Sequence, residues 1–178
     1  MRIVLIGDSH LARLNNDLGS LVATPVIDAA QGGASIGDAL RQASSIHVDA
    51  NDIVVLSIGT NDAAPWKQTS LDAFSDGLDQ LKDSFDLRRW IYMTPPGVDE
   101  SRLSGSSNRT NVVMEIYRDE AITVLRSAGA SILPSHEVIA EQGTLAFSSD
   151  GVHLTEAAYS LLLPEIAKAI ASVMESGS

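Results

Sequence analysis

The chain has 178 residues, a formal net charge of −11 and no cysteine. Hydrophobic residues make up 44% and charged residues 20%, the balance of a globular chain rather than a disordered one. Disulfides, thiolate metal sites and cysteine nucleophiles are excluded together, and so acidic a surface repels phosphate backbones and anionic membranes.

Ile3-Val4-Leu5-Ile6 is a short, continuous apolar run closed by Gly7, the pattern of a strand buried on both faces. Leu11, Leu14 and Leu18 have helical spacing, with a stop expected at Gly19. Pro25-Val26-Ile27 reads as a second strand, followed by the turn Gln31-Gly32-Gly33, and a helix is expected from Ile36 to Ile46. Asp52 to Ile58 is the strongest strand signal and ends at Gly59. Ser70 can cap a helix reaching about Phe85, with Leu71, Phe74, Leu78 and Leu81 on one face. Trp90 to Met93 is a fourth strand, stopped by Pro95-Pro96. Residues 97–108 show no periodicity and read as a loop positioned for substrate contact. Val112, Val113, Ile116, Val124 and Leu125 stripe a long helix ending at Gly129, and Ile132-Leu133 is a fifth strand. Ser148 to His153 is turn-like, and a final helix from Thr155 to about Met174 should be kinked or broken by Pro164.

Strands thus alternate with helices, which predicts an α/β sandwich on a parallel sheet. One domain over 1–175 with a flexible tail at 176–178 is expected, and the sequence shows no repeat or linker. No apolar run approaches the ~20 residues of a membrane span. No signal peptide is visible, so the default expectation is a cytoplasmic location, or a secreted one if the chain is a trimmed mature form. No P-loop, dinucleotide fingerprint or G-x-S-x-G elbow is present.

In open parallel sheets ligands bind at the carboxyl ends of the strands. The first strand exits into Gly7-Asp8-Ser9-His10, the second toward Gly32-Gly33-Ala34-Ser35 and the third into Gly59-Thr60-Asn61-Asp62, while Asp150-Gly151-Val152-His153 precedes the last helix. Acyl transfer needs residues of these types. A serine hydroxyl requires a neutral imidazole to take its proton, the imidazole requires a carboxylate, and the oxyanion requires donors already in place. Ser9 supplies the hydroxyl at a strand-to-helix turn; His153 and Asp150 lie three residues apart; Gly33 offers a backbone N–H and Asn61 a side-chain amide.

These four segments, in this order and spanning nearly the whole chain, resemble the four sequence blocks of the SGNH (GDSL-like) hydrolases. The resemblance implies a flavodoxin-like three-layer α/β/α sandwich with a five-stranded parallel sheet. It implies a catalytic triad of Ser9 as nucleophile, His153 as general base and Asp150 orienting it, and an oxyanion hole of Ser9 N–H, Gly33 N–H and Asn61. No cofactor or metal is implied. His10 stands where the motif usually has leucine, Asp28 where asparagine is common, and Gly32 is an alternative donor to Gly33. The implied activity is serine ester hydrolysis, with short acyl groups such as acetyl on a carbohydrate or other polar carrier expected. Alternatives are a lysophospholipase or thioesterase on longer chains, a binding module without chemistry, or a flavodoxin-like cofactor domain.

The remaining candidates have plainer readings. His47 sits near a helix end and is expected to cap it or face solvent, and His136 precedes a short helical stretch and is expected to be structural. His10 lines the pocket rim or faces solvent. Trp66 forms a pocket wall or joins the core, and Trp90 belongs to the core. Asn108-Arg109-Thr110 matches a glycosylation sequon that short chains carry by chance. Asp8 and Asp62, which together with Asp150 and His153 could also converge on a metal, are expected to brace turns through backbone N–H groups.

Overall fold

The computed structural model describes residues 1–105 and 108–176. Residues 177 and 178 of the expected tail, and 106 and 107 of the expected loop, lie outside the described residues; Ser176 closes the last helix.

Five strands, β1 (Ile3–Gly7), β2 (Val26–Asp28), β3 (Ile53–Ser57), β4 (Trp90–Met93) and β5 (Ser131–Leu133), form one sheet. All four pairings are parallel, in the order β2-β1-β3-β4-β5. The helices are α1 (Ser9–Ala12), α2 (Asn15–Leu21), α3 (Ile36–Ser45), α4 (Leu71–Ser84), α5 (Asn111–Ser127), α6 (Ser135–Val138) and α7 (Glu156–Ser176). Successive side chains of a strand point to opposite faces. Val4, Ile6, Val54, Leu56, Trp90 and Tyr92 accordingly pack with α3, α4 and α5. Ile3, Leu5, Ile53, Val55, Ile91 and Met93 pack with α1, α2 and α7. Covering both faces is what lets β1, β3 and β4 be buried along their whole length, and why they read as apolar runs without alternation. The chain leaves β1 to one side for β2 and returns on the other for β3, so the topological switch point lies between β1 and β3.

Three expectations are corrected. The Leu11–Leu18 segment is two helices, not one ending at Gly19: the chain turns at Arg13-Leu14, and α2 runs through Gly19 to Leu21. Leu11, Leu14 and Leu18 all stay fully buried, because the apolar face is kept through the turn. Pro164 does not break the last helix, which is a single element to Ser176. Pro164 and the Ser160 carbonyl that loses its donor are both on the exposed side, where water can take that donor's place. Finally, α7 is long and apolar enough to cross a membrane, with a mean hydropathy of 1.3 over its best window. Its stripe of Ala158, Leu162, Ile166 and Ile170 is packed on the sheet, as in a core helix.

Candidate active site

The carboxyl end of β1 is shaped by one glycine. Gly7 has φ 129°, and a Cβ there would lie 1.9 Å from the Ser57 carbonyl oxygen, so no other residue fits. The buried Gln42 side chain of α3 grips its peptide, accepting from Gly7 N at 2.6 Å and donating to Gly7 O at 3.1 Å. Asp8 follows as the N-cap of α1, its Oδ1 accepting from His10 N (3.0 Å) and Ser57 Oγ (3.1 Å). Its own N–H donates to Ser57 O at 3.0 Å, tying β1 to β3. Ser9 is thereby held as the first residue of α1, partly exposed, over a fully buried Asp8. Burial pushes the Asp8 carboxyl up to about 7, against the opposing effect of its two hydrogen bonds.

Ser9 meets a residue 144 positions away. His153 Nε2 lies 3.0 Å from Ser9 Oγ, and His153 Nδ1 lies 2.6 Å from Asp150 Oδ2. The carboxylate selects the Nδ1–H form of the ring and leaves the Nε2 lone pair facing the hydroxyl. The other carboxylate oxygen accepts from Val152 N (2.9 Å), His153 N (2.9 Å) and Ser148 Oγ (3.1 Å). Burial works against this charge, and the hydrogen bonds from His153 and Val152 outweigh it, holding Asp150 below the usual carboxylate range. The turn is stapled from behind. Phe147 and Leu154 form an antiparallel bridge, Asp99 N donates to Gly151 O at 2.8 Å, and Arg102 donates to Phe147 O at 2.6 Å. The first part of the 97–108 loop, with its 3₁₀ turn Glu100–Arg102, thus braces the His153 turn.

Two further segments converge here. Asp62, expected to brace a turn, accepts from Gly59 N at 3.0 Å and from Ile36 N at 2.9 Å, joining the end of β3 to the start of α3. Burial raises its carboxyl to about 6, opposed by these N–H bonds. Asn61 Nδ2 donates to Ala34 O, on the residue that follows Gly33, at 2.9 Å, and among the described residues its second N–H meets no protein acceptor. Gly33 has φ 80°, and Lys67 Nζ lies 3.9 Å from where a Cβ would be. A Cβ on Gly32 would come 4.0 Å from Ser9 Cβ, so Gly32, the alternative donor, stands next to Ser9.

Several readings are revised. His10 is neither rim nor solvent-facing: it is fully buried, with Nδ1 3.2 Å from Tyr159 Oη and its ring 6.1 Å from that of His153. Burial, reinforced by the neighbouring His153 and Arg13, drops its pKa to about 3, so it is neutral. Trp66 is 55% exposed, not core, and lies over the Arg109 guanidinium at 4.9 Å. Trp90 is core. His47 follows α3 with φ 51°, and its carbonyl accepts from Arg2. His136 sits in α6 with Nδ1 3.2 Å from Thr94 Oγ1, beside a groove of about 500 Å³ lined by Gly97, Val98, Asn111, Ile139 and Phe147. None of Ser9, Asp150 and His153 lines that groove. Among the described residues no three His, Asp or Glu side chains gather as a metal site. Sequence reasoning missed Gln42, Asp99, Arg102 and above all Arg109. Arg109 is 6% exposed and donates from Nη1 to Thr60 O at 3.0 Å and to Asn61 Oδ1 at 3.4 Å.

The fold is similar to that of a lipase/acylhydrolase from Enterococcus faecalis, with a TM-score of 0.79 at 21% identity over 96% of this chain and 95% of that one. It is similar also to an acetylxylan esterase from Geobacillus stearothermophilus, with a TM-score of 0.69 at 18% identity over 95% and 93%. No curated protein matches the sequence. The model of the GDSL-like lipase/acylhydrolase family matches residues 6–161, from the end of β1 into α7, and the chain belongs to that family of hydrolases.

Proposed function

We propose that the protein is a serine ester hydrolase working through an acyl-enzyme on Ser9, and that it acts on short acyl groups, acetyl above all, carried by a carbohydrate or other polar alcohol. The observation that carries the reading is the hydrogen-bonded relay from Ser9 Oγ to His153 Nε2 (3.0 Å) and from His153 Nδ1 to Asp150 Oδ2 (2.6 Å). His153 takes the Ser9 proton as Oγ attacks the ester carbonyl. The oxyanion is received by the N–H groups of Ser9 and Gly33 and by the second N–H of the Asn61 amide. The C–O bond to the alcohol breaks as His153 returns the proton to it. Water then attacks the acyl carbon by the same route and regenerates Ser9.

The preference for short chains is supported by the openness of the site. The His153 and Asp150 side chains are 24% and 50% exposed, and Trp66, over the Arg109 that holds Asn61, is 55% exposed. Such a surface offers polar contacts to a carrier and little enclosure to a long acyl chain. The fold similarity to an acetylxylan esterase points the same way.

Hydrolysis of p-nitrophenyl esters from acetyl to decanoyl, by wild type and Ser9→Ala, tests both parts. The expected result is turnover that falls with chain length and vanishes in Ser9→Ala. Faster turnover of the long esters would transfer the assignment to a lysophospholipase or thioesterase, and activity that survives in Ser9→Ala would end the serine mechanism.

A further inference from the structure

We propose that Arg109 is a positioning residue of the oxyanion hole: it sets which way the Asn61 amide faces and polarises it toward the substrate. The inference rests on the reading of Asn61 as an oxyanion donor given above.

An amide side chain is nearly symmetric in shape, and only its partners decide which end is oxygen. Asn61 has a partner at each end. Its Nδ2 faces the Ala34 carbonyl oxygen at 2.9 Å, and its Oδ1 faces Arg109 Nη1 at 3.4 Å. Reversing the amide would set N–H against N–H at Arg109 and oxygen against oxygen at Ala34. With Arg109 removed, only the Ala34 contact opposes that reversal, and the reversed amide, with its oxygen where the donor is needed, becomes more populated.

Arg109 is itself fixed from three sides. Its Nη1 also donates to the Thr60 carbonyl at 3.0 Å, its guanidinium lies against the Trp66 ring, and Thr110 behind it caps α5 by accepting from Val113 N. A single nitrogen therefore holds both the main chain of Thr60 and the side chain of Asn61. The group is almost fully buried at 6% exposure, so water screens its charge little. A cation donating to an amide oxygen draws electron density from that amide and strengthens its N–H as a donor. Arg109 Nε has no protein partner among the described residues. A guanidinium buried with one donor unmatched is costly as a stabilising device, which favours a role beyond packing.

The test is a double-mutant cycle on kcat with p-nitrophenyl acetate, using wild type, Asn61→Ala, Arg109→Met and the double variant, with melting temperatures for each. Arg109→Met should lower kcat about 10- to 100-fold in the wild-type background, the worth of a hydrogen bond to a charged group, with KM changed little. In the Asn61→Ala background the same substitution should lower kcat less than about twofold, because the residue through which it acts is gone. Millimolar guanidinium should restore part of kcat to Arg109→Ala and none to Asn61→Ala/Arg109→Ala. Equal losses in the two backgrounds, or no loss in the wild-type background, would overturn the proposal. If Arg109→Met does not fold, Arg109→Lys enters the same cycle, since it keeps the charge and loses the planar fork. Ser9→Ala run in parallel separates the two levels. Activity that survives there defeats the underlying mechanism, whereas Ser9-dependent activity with an additive cycle defeats only the role of Arg109.

Discussion

Replacing Asp150 by Asn isolates the one thing its charge does. The carboxylate holds the His153 ring on Oδ2 at 2.6 Å, while Oδ1 accepts from Val152 N, His153 N and Ser148 Oγ at 2.9, 2.9 and 3.1 Å. An asparagine keeps the shape and must choose which end faces which set. Turning its NH₂ toward the backbone would oppose two N–H donors, so its oxygen stays there and its NH₂ faces His153 Nδ1. The ring then carries its proton on Nε2, pointing at Ser9 Oγ, and has no lone pair with which to take the serine proton. The expected loss is about 10⁴-fold in kcat, equivalent to about 5 kcal/mol in the barrier. The turn keeps its three bonds at Oδ1 and the side chain is half exposed, so the melting temperature should move by less than about 4 °C. Rates with p-nitrophenyl acetate and thermal melts of the same preparation check both numbers. A folded Asp150→Asn that loses less than about tenfold would refute the role assigned to the carboxylate.

Two other consequences concern stability. Asp8 is raised from 3.8 to about 7 in the folded protein, so folding favours its protonated form; its contribution is fully present below the unfolded value and is lost as pH rises through about 7. Asp62, raised to about 6, acts in the same direction. Urea melts across that window should show wild-type stability declining with pH at these sites and a visibly shallower decline in Asp8→Asn; an identical slope would contradict the reading. His10→Leu removes the fully buried ring that meets Tyr159 Oη at 3.2 Å and leaves that hydroxyl without it. It should lose about 1–3 kcal/mol of stability by thermal melt, the cost of a buried polar group left unpaired, and an unchanged or raised melting temperature would contradict the reading.

What could be read in the sequence follows from how local each signal is. β1, β3 and β4 were legible because burial on both faces makes them runs of apolar residues ending in Gly or Pro, and Trp90–Met93 coincides with its predicted strand. The Ser70 cap was legible because a hydroxyl before an apolar stripe has a local partner, here Ala73 N. The break between α1 and α2 was hidden because Leu11, Leu14 and Leu18 keep one face through it. Pro164 misled because the cost of a proline depends on whether the orphaned carbonyl is wet. At the site, Ser9, Asp150 and His153 stood out as motif residues at element boundaries. Arg109 did not, since its partners Thr60, Asn61 and Trp66 lie more than 40 residues upstream and nothing in a loop arginine announces them. Gln42 was concealed likewise: a polar residue on the buried face of α3 looks like an error until the Gly7 peptide is placed against it. His10 was misjudged because a helix of four residues has no sequence-visible inner face.

The most direct test of the central claim is to trap the nucleophile. Wild type, Ser9→Ala and His153→Ala are treated with an aryl fluorophosphonate, and adducts are counted by intact mass and located by peptide mapping. Wild type should carry one adduct, at Ser9, formed as activity disappears, with none on Ser9→Ala and slow labelling of His153→Ala. Labelling at another serine, or full esterase activity in protein whose Ser9 is blocked, would contradict it.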